Sequence, residues 1–240
     1  MNVKFIYPFA LMMLFSLSCS EEAPDAVQSF MKQDKQIADT INDAFLKDSS
    51  IFSSITIGGQ SWMKSDLQLT EFLNGDPIPE VSTDQDWVKY AKLKKPCFRR
   101  KGKSVFYNGF VLMDERGLVP DDFKIPTASD WENLMNELGG LIPMSKSIAT
   151  YQWDEKIQGE TISYSGNNAS EFSALPGGFV YTSGSISSGN CSFWWVNSTE
   201  QSLIPSKLTI FNIGFCSSDI SSGTTIDPAF GATLRCIKKK

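Results

Sequence analysis

No histidine occurs anywhere in the 240-residue chain. That absence removes the commonest general base and the commonest transition-metal ligand. Ser–His and Cys–His nucleophile pairs are excluded with it, as are zinc sites that need imidazole. Basic charge is scarce as well: 22 Lys and Arg against 27 Asp and Glu leave a net charge of −5. Nucleic-acid binding needs a basic surface to meet phosphate, so no nucleic-acid partner is expected. No Cys-x-x-Cys knuckle is present, which disfavours a four-cysteine zinc site, and no glycine-rich nucleotide loop has the required spacing. The apolar run from Phe5 to Leu17 is too short to span a membrane comfortably as a helix. These gaps argue against an enzyme, a metal and a cofactor, although carboxylate or cysteine mechanisms survive them.

What is present reads as a globular protein, with 41% hydrophobic and 20% charged residues, enough for one compact domain and an appendage. Lys4, the apolar run and the small residues Ser16 and Ser18 before Cys19 resemble a bacterial lipoprotein signal. The resemblance implies a signal peptide over residues 1–18 and an acylated Cys19 as membrane anchor. Ser20-Glu21-Glu22 resembles the surface-export tag of Bacteroidetes lipoproteins, which implies the outer membrane and its outward face, the periplasmic face being the alternative.

Residues 19–50 form a tether and a helix running from Pro24-Asp25 to about Lys47. Val27, Phe30, Met31, Ile37, Ala38, Ile41 and Phe45 make its apolar stripe. The helix is read as a stalk or as packed on its own domain, with a short coiled coil as the alternative.

The domain spans 51–240. Ile55 to Met63 reads as strand, Gly-Gly turn, strand. A helix is expected over 82–94, capped by Ser82 with Gln85 completing a capping box. Phe106 to Val111 reads as strand. A second helix starts at Thr127, with Asp130 in its capping box, Trp131, Leu134, Met135 and Leu138 as its buried face, and Gly139-Gly140 as its end. Beyond Gly140 the Gly, Ser, Asn and aromatic residues suggest short strands and long loops. Of the four remaining cysteines, Cys191 and Cys216 flank a probable hairpin and fall nearly opposite each other, which leaves Cys97 for Cys236. The other pairings remain open on sequence alone.

Four segments carry a resemblance: Ile125 to Leu134, Phe172 to Phe179, Phe193 to Glu200 and Phe230 to Ile237. In this order and spacing they are similar to the Fibrobacter succinogenes major paralogous domain family. The opening Ile57-Gly-Gly-Gln60-x-Trp62-Met63 and Tyr107-Asn108-Gly109 fit it too. The resemblance covers about residues 52–238 and implies an α+β, C-type lectin-like fold. Two helices would pack on a small twisted antiparallel sheet with long loops. Val196-Asn197 stands where the family usually has Ser-Ser, and Ala232-Thr233-Leu234 where it has Phe-Ser-Val.

The motifs themselves read as scaffold. Phe193 and Trp195 share one face of a strand and Trp194 takes the other, as core packing requires. Asp130 and Glu132 are explained by the helix cap and dipole. A calcium-dependent sugar site like that of the C-type lectins is disfavoured, because Trp195-Val-Asn-Ser-Thr-Glu200 interrupts the Trp-Asn-Asp run. In lectin-like folds ligands meet the late loops, here about 199–228 and 142–170. Asn212, Ser217, Ser218, Asp219, Asp227 and Trp153 are the candidate binding residues. The expectation is a non-catalytic, lipid-anchored surface module for a glycan or an extracellular protein. A structural subunit of an envelope assembly is the alternative. An enzyme using Asp130, Glu132 or Glu200 is less favoured.

Overall fold

Between Ile57 and Gln60 the chain reverses over Gly58 and Gly59, whose φ values of 54° and 74° lie where glycine is at ease. The turn joins β1 (Ser54–Ile57) to β2 (Gln60–Met63), with Ile57 opposite Gln60. This is the hairpin read from the sequence. The computed structural model describes residues 52–150, 154–157, 160–163, 166–187, 190–197, 208–215 and 225–240. The signal segment, Cys19 and the helix expected over 25–47 lie outside them.

Among the described residues the fold is α+β, with four helices and small antiparallel sheets. Helix α1 is Asp84–Lys92. Its cap is Thr83 and not Ser82: the Thr83 hydroxyl accepts from Asp86 N at 3.1 Å and donates to Asp86 Oδ2 at 2.7 Å. Thr83 and Asp86 stand in the same three-residue spacing as Ser82 and Gln85, one register later. Strands β3 (Phe98–Lys101) and β4 (Ser104–Asn108) follow as a hairpin. The strand expected to reach Val111 stops at Asn108, which caps the single helical turn α2 (Gly109–Leu112) through Val111 N. A Cβ at Gly109 would sit 2.8 Å from Pro228 Cα, so only glycine fits that corner.

After β5 (Phe123–Lys124), helix α3 (Ala128–Glu137) begins with the expected Thr127–Asp130 capping box. Gly139 and Gly140, with φ of 84° and 101°, end it. A further helix, α4 (Leu141–Ile148), then occupies the start of a region read as loop. No side chain caps it. It forms because Met144 and Ile148, one turn apart, are fully buried against Trp131 and Leu134. The hairpin β6 (Asp154–Ile157) to β7 (Glu160–Ser163) follows.

The long hairpin β8 (Asn190–Asn197) to β9 (Leu208–Phe215) pairs along its whole length. The short strands β10 (Gly231–Ala232) and β11 (Ile237–Lys238) tie the chain end back to the start. Strand β11 lies between β2 and β5 in a sheet ordered β1-β2-β11-β5, and β10 completes a sheet ordered β10-β4-β3.

The tryptophans alternate as the sequence requires. Phe193 and Trp195 join the core built on Tyr107, Phe179 and Phe230. Trp194 turns the other way, into the core of Trp62, Trp131 and Phe172. Ring centroids in the second cluster stand 4.7 Å apart for Trp62–Trp131 and 4.2 Å for Trp131–Phe211. Buried aromatics at such spacings are packing, with no face left for a ligand.

The pairing of Cys97 with Cys236 is overturned: both are buried free thiols. They belong to different clusters, Cys97 with Val81, Trp87 and Phe106, and Cys236 with the β4–β10 core. Cys191 is not among the free thiols, and its expected partner Cys216 lies outside the described residues.

Candidate functional site

The first turn of α3 is pinned to the opening hairpin by one carboxylate. Asp130 Oδ2 accepts from Thr127 N and Thr127 Oγ1, each at 2.9 Å, and pairs with Lys124 Nζ at 2.8 Å. Its other oxygen, Oδ1, accepts from Gln60 Nε2 at 3.1 Å. Burial alone would raise the carboxyl pKa. The Lys124 ammonium and the two Thr127 donors outweigh that burial and hold it below its ordinary value. Asp130 is therefore a structural anion, fully committed by its partners.

Gln60 leaves one atom over. The residue is 6% exposed, and its Oε1 is buried with no hydrogen-bond partner. Because Nε2 donates to Asp130, turning the amide round would set two oxygens against each other. Oε1 is thus a fixed acceptor without a donor.

Gln60 and Asp130 line a cleft of about 500 Å³ between the β1–β2 turn, the first turns of α3 and the end of the chain. Strand β11 builds its far wall, with Ile237 opposite both Trp62 and Lys124. Beyond it Lys239 N donates to Asp122 O at 2.8 Å, which fixes the chain end against the domain. Lys238, Lys239 and Lys240 all line the cleft, and among the described residues none of the three is in a salt bridge. Lys238 Nζ stands 5.9 Å from the Phe123 ring centroid. Locally the site is basic, although the whole chain is acidic.

A second cleft, of about 300 Å³, shares Lys124 and Lys239 with the first. Its arginine is committed to carboxylates, while Glu115, Asp121 and Lys239 make no salt bridge among the described residues. Arg116 pairs with Asp114 at 2.8 Å and Asp76 at 3.0 Å, and lies 3.9 Å over the Phe72 ring. A broader depression of about 640 Å³ runs along α1 past Val88 and Leu93, and none of its lining residues is buried. Its carboxylate at Asp84 is taken up by Arg99 at 2.6 Å.

Chemistry by nucleophile or by carboxylate pair finds little support in the side chains. Burial pushes the Cys97 thiol up to about 12 and raises Cys236 as well, so neither forms thiolate near neutral pH. Glu132 is exposed on α3, apart from the four-donor shell of Asp130. Glu200 lies outside the described residues.

Of the sequence-read binding residues, the two described ones, Asn212 and Asp227, do not line the cleft. Asn212 is half-buried in β9, opposite Phe193. Asp227 Oδ1 accepts from Ala229 N at 2.8 Å, closing a turn before Phe230. Trp153, Ser217, Ser218 and Asp219 lie outside the described residues. The residues that do converge read individually as turn, cap and tail. The one available sign was Gln60, an amide in a short strand whose neighbours Trp62 and Met63 are buried.

The arrangement rests on segments far apart in the chain, from Gly59 to Lys240. The family model for the Fibrobacter succinogenes major domain matches residues 55–238, a span that takes in Gln60, Lys124, Asp130 and Lys238. No curated protein and no solved structure matches the chain. Over most of its length, from the first hairpin to the last strand, the chain belongs to the Fibrobacter succinogenes major domain family.

Proposed function

We propose that the chain is a non-catalytic binding module at the cell surface, held to the outer membrane by an acylated Cys19 and built on a C-type lectin-like scaffold. Its ligand is a glycan or an extracellular protein. The observation that carries this reading is the cleft at the start of α3, lined by the polar residues Gln60, Asn133 and Asp130 and by Lys238, Lys239 and Lys240, which make no salt bridge among the described residues. Polar groups without partners in a preformed cleft support recognition.

Cys191 at the open end of the β8–β9 ladder favours a bridge to Cys216, one residue beyond the last pair Asn190–Phe215. The bridge suits an oxidising compartment, as an exported protein requires.

The test is a binding screen of the full chain against polysaccharides and extracellular proteins, with and without calcium. Saturable binding that is unchanged by calcium is expected, with the ligand recovered intact. Release of cleaved or altered ligand would overturn the non-catalytic reading, and an absence of binding across both ligand classes would overturn the module itself.

A further inference from the structure

We propose that the exposed face at the C-terminal end of α1 seats on an anionic lipid surface, with Leu93 entering the lipid and lysines meeting its headgroups. This face shares no residue with the cleft at the start of α3. Its contact with lipid does not depend on acylation of Cys19.

The charge is written into one stretch of sequence. Between Asp86 and Asp114 the chain carries eight of its 22 Lys and Arg residues and no Asp or Glu, although the whole protein has a net charge of −5. Four of the eight stand in the last turn of α1 and just beyond it: Lys89, Lys92, Lys94 and Lys95. All four are exposed, and none is in a salt bridge among the described residues. Lys94 takes the left-handed position after the helix, with φ of 52°, that glycine usually fills. Its N–H donates to Ala91 O at 3.0 Å, and that of Lys95 to Tyr90 O at 2.9 Å, so the corner is fixed to the helix end. The helix dipole accounts for Lys89 and Lys92. It gives no reason for an apolar side chain among the lysines.

That side chain is Leu93, 56% exposed, more than any other large apolar residue among the described ones. With Val88, Lys89 and Lys92 it lines the broad depression along α1, to which Ser183 adds no charge. None of these residues is buried, so a small ligand would find no enclosed floor. A soluble polyanion would take the lysines and leave Leu93 in water. An acidic amphipathic helix would match both, but it needs a groove to lie in, which this face lacks. A lipid surface is broad and needs none. There the leucine enters the acyl boundary while the ammonium groups stay among the phosphates.

The experiment combines lysine-acetylation footprinting with cosedimentation of the full chain on phosphatidylcholine vesicles, made with and without phosphatidylglycerol. Comparing the two compositions removes the contribution of apolar segments elsewhere in the chain, which both vesicles would take up alike. Anionic vesicles should slow acetylation of Lys92, Lys94 and Lys95 severalfold, and that of the chain-end lysines much less. Lys94→Gln with Lys95→Gln should lower affinity for anionic vesicles by about twentyfold, or about fivefold for each lysine, and flatten its salt dependence. Leu93→Ser should lower it by about fivefold and leave the salt dependence unchanged. Lys238→Gln with Lys239→Gln removes the same charge from elsewhere and should leave binding nearly unchanged. Thermal unfolding checks each variant, and the footprint of the unsubstituted protein keeps the test decisive if one unfolds.

An equal loss in the chain-end variant would reduce the effect to net charge and overturn the proposal. A footprint that leaves 92–95 open on anionic vesicles would overturn it as well. A sulfated oligosaccharide and an acidic amphipathic peptide serve as soluble arms. Tighter binding of the oligosaccharide than of vesicles, dependent on the lysines and indifferent to Leu93, would make the face a polyanion site instead. Tighter binding of the peptide, dependent on both, would assign the face to a protein partner and overturn the lipid.

Discussion

Arg235 is 1% exposed, and its environment accounts for every part of the guanidinium. Asp66 Oδ1 accepts from Nε at 2.7 Å and lies 2.7 Å from the second terminal nitrogen. The remaining nitrogen donates to the Phe172 carbonyl, and the Phe172 ring stands 4.1 Å from the guanidinium carbon. Trp194 Nε1 donates to the same Asp66 oxygen at 2.8 Å. Burial pushes the guanidinium pKa down, and the Asp66 carboxylate opposes that loss. Removing one partner strands the other charge in the core. Asp66→Asn or Arg235→Met should therefore lower stability by about 3–5 kcal/mol in denaturant unfolding. Arg100→Gln, which breaks a pair of half-exposed side chains with Glu80 at 3.4 Å, should cost under about 1 kcal/mol. Equal effects from the two changes would contradict the structural role given to Arg235. The thiols provide a second residue-scale check. Cys97 and Cys236 should resist alkylation in the native protein and label completely in denaturant, as mapped on their peptides by mass spectrometry.

Among the elements, helix α3 was legible from its residues alone. Its cap, its capping-box partner and its terminal glycines are local signals, three or four residues apart, and the structure keeps each one. The β1–β2 hairpin was legible for the same reason. Helix α4 was not, because Leu141–Ile148 has no capping side chain and starts directly after the two glycines that end α3. What holds it is the burial of Met144 and Ile148 against α3 and Phe172, a tertiary effect that no local signal announces. The cleft was hidden more deeply. Gln60 and Asp130 are 70 residues apart, and the lysines join them only because β11 inserts between β2 and β5. At this scale Thr127→Ala should cost about 1 kcal/mol through the lost cap, measured by thermal or chemical unfolding. Gly231→Ala should cost about 1–3 kcal/mol, since a Cβ there would stand 2.7 Å from the Trp87 ring and 2.8 Å from Val180. A neutral result at Gly231 would mean that β10 packs more loosely on α1 than the structure has it.

The whole molecule has a pH response set by what the sequence lacks. With no histidine, no side chain has an ordinary pKa between about 5 and 8. Asp76, Asp114, Asp130 and Glu171 are held below their ordinary values by nearby cations and hydrogen bonds, which at Asp114 and Asp130 work against burial. Their contribution is present above the unfolded pKa of about 4 and is lost as pH falls through the lower native values. Cys97, Cys236 and Tyr107 are raised by burial, so their contribution is lost as pH rises past the unfolded thiol value of about 8.5. The unfolding midpoint should be flat between about pH 5 and 8 and fall on both sides. A sigmoidal step near pH 6 to 7 would contradict this.

The four motif segments form the frame of the molecule, through the tryptophan clusters and the Asp66–Arg235 pair, and the function proposed above assigns recognition to a cleft assembled from turn, cap and chain end. Hydrogen–deuterium exchange of the full chain, with and without a ligand recovered in the glycan and protein screen, tests that division most directly. Slower exchange is expected at the backbone amides of 59–61, 124–133 and 237–240, with the core strand β8 unchanged. Protection confined to 198–207 and 216–224, with the cleft unaffected, would contradict it.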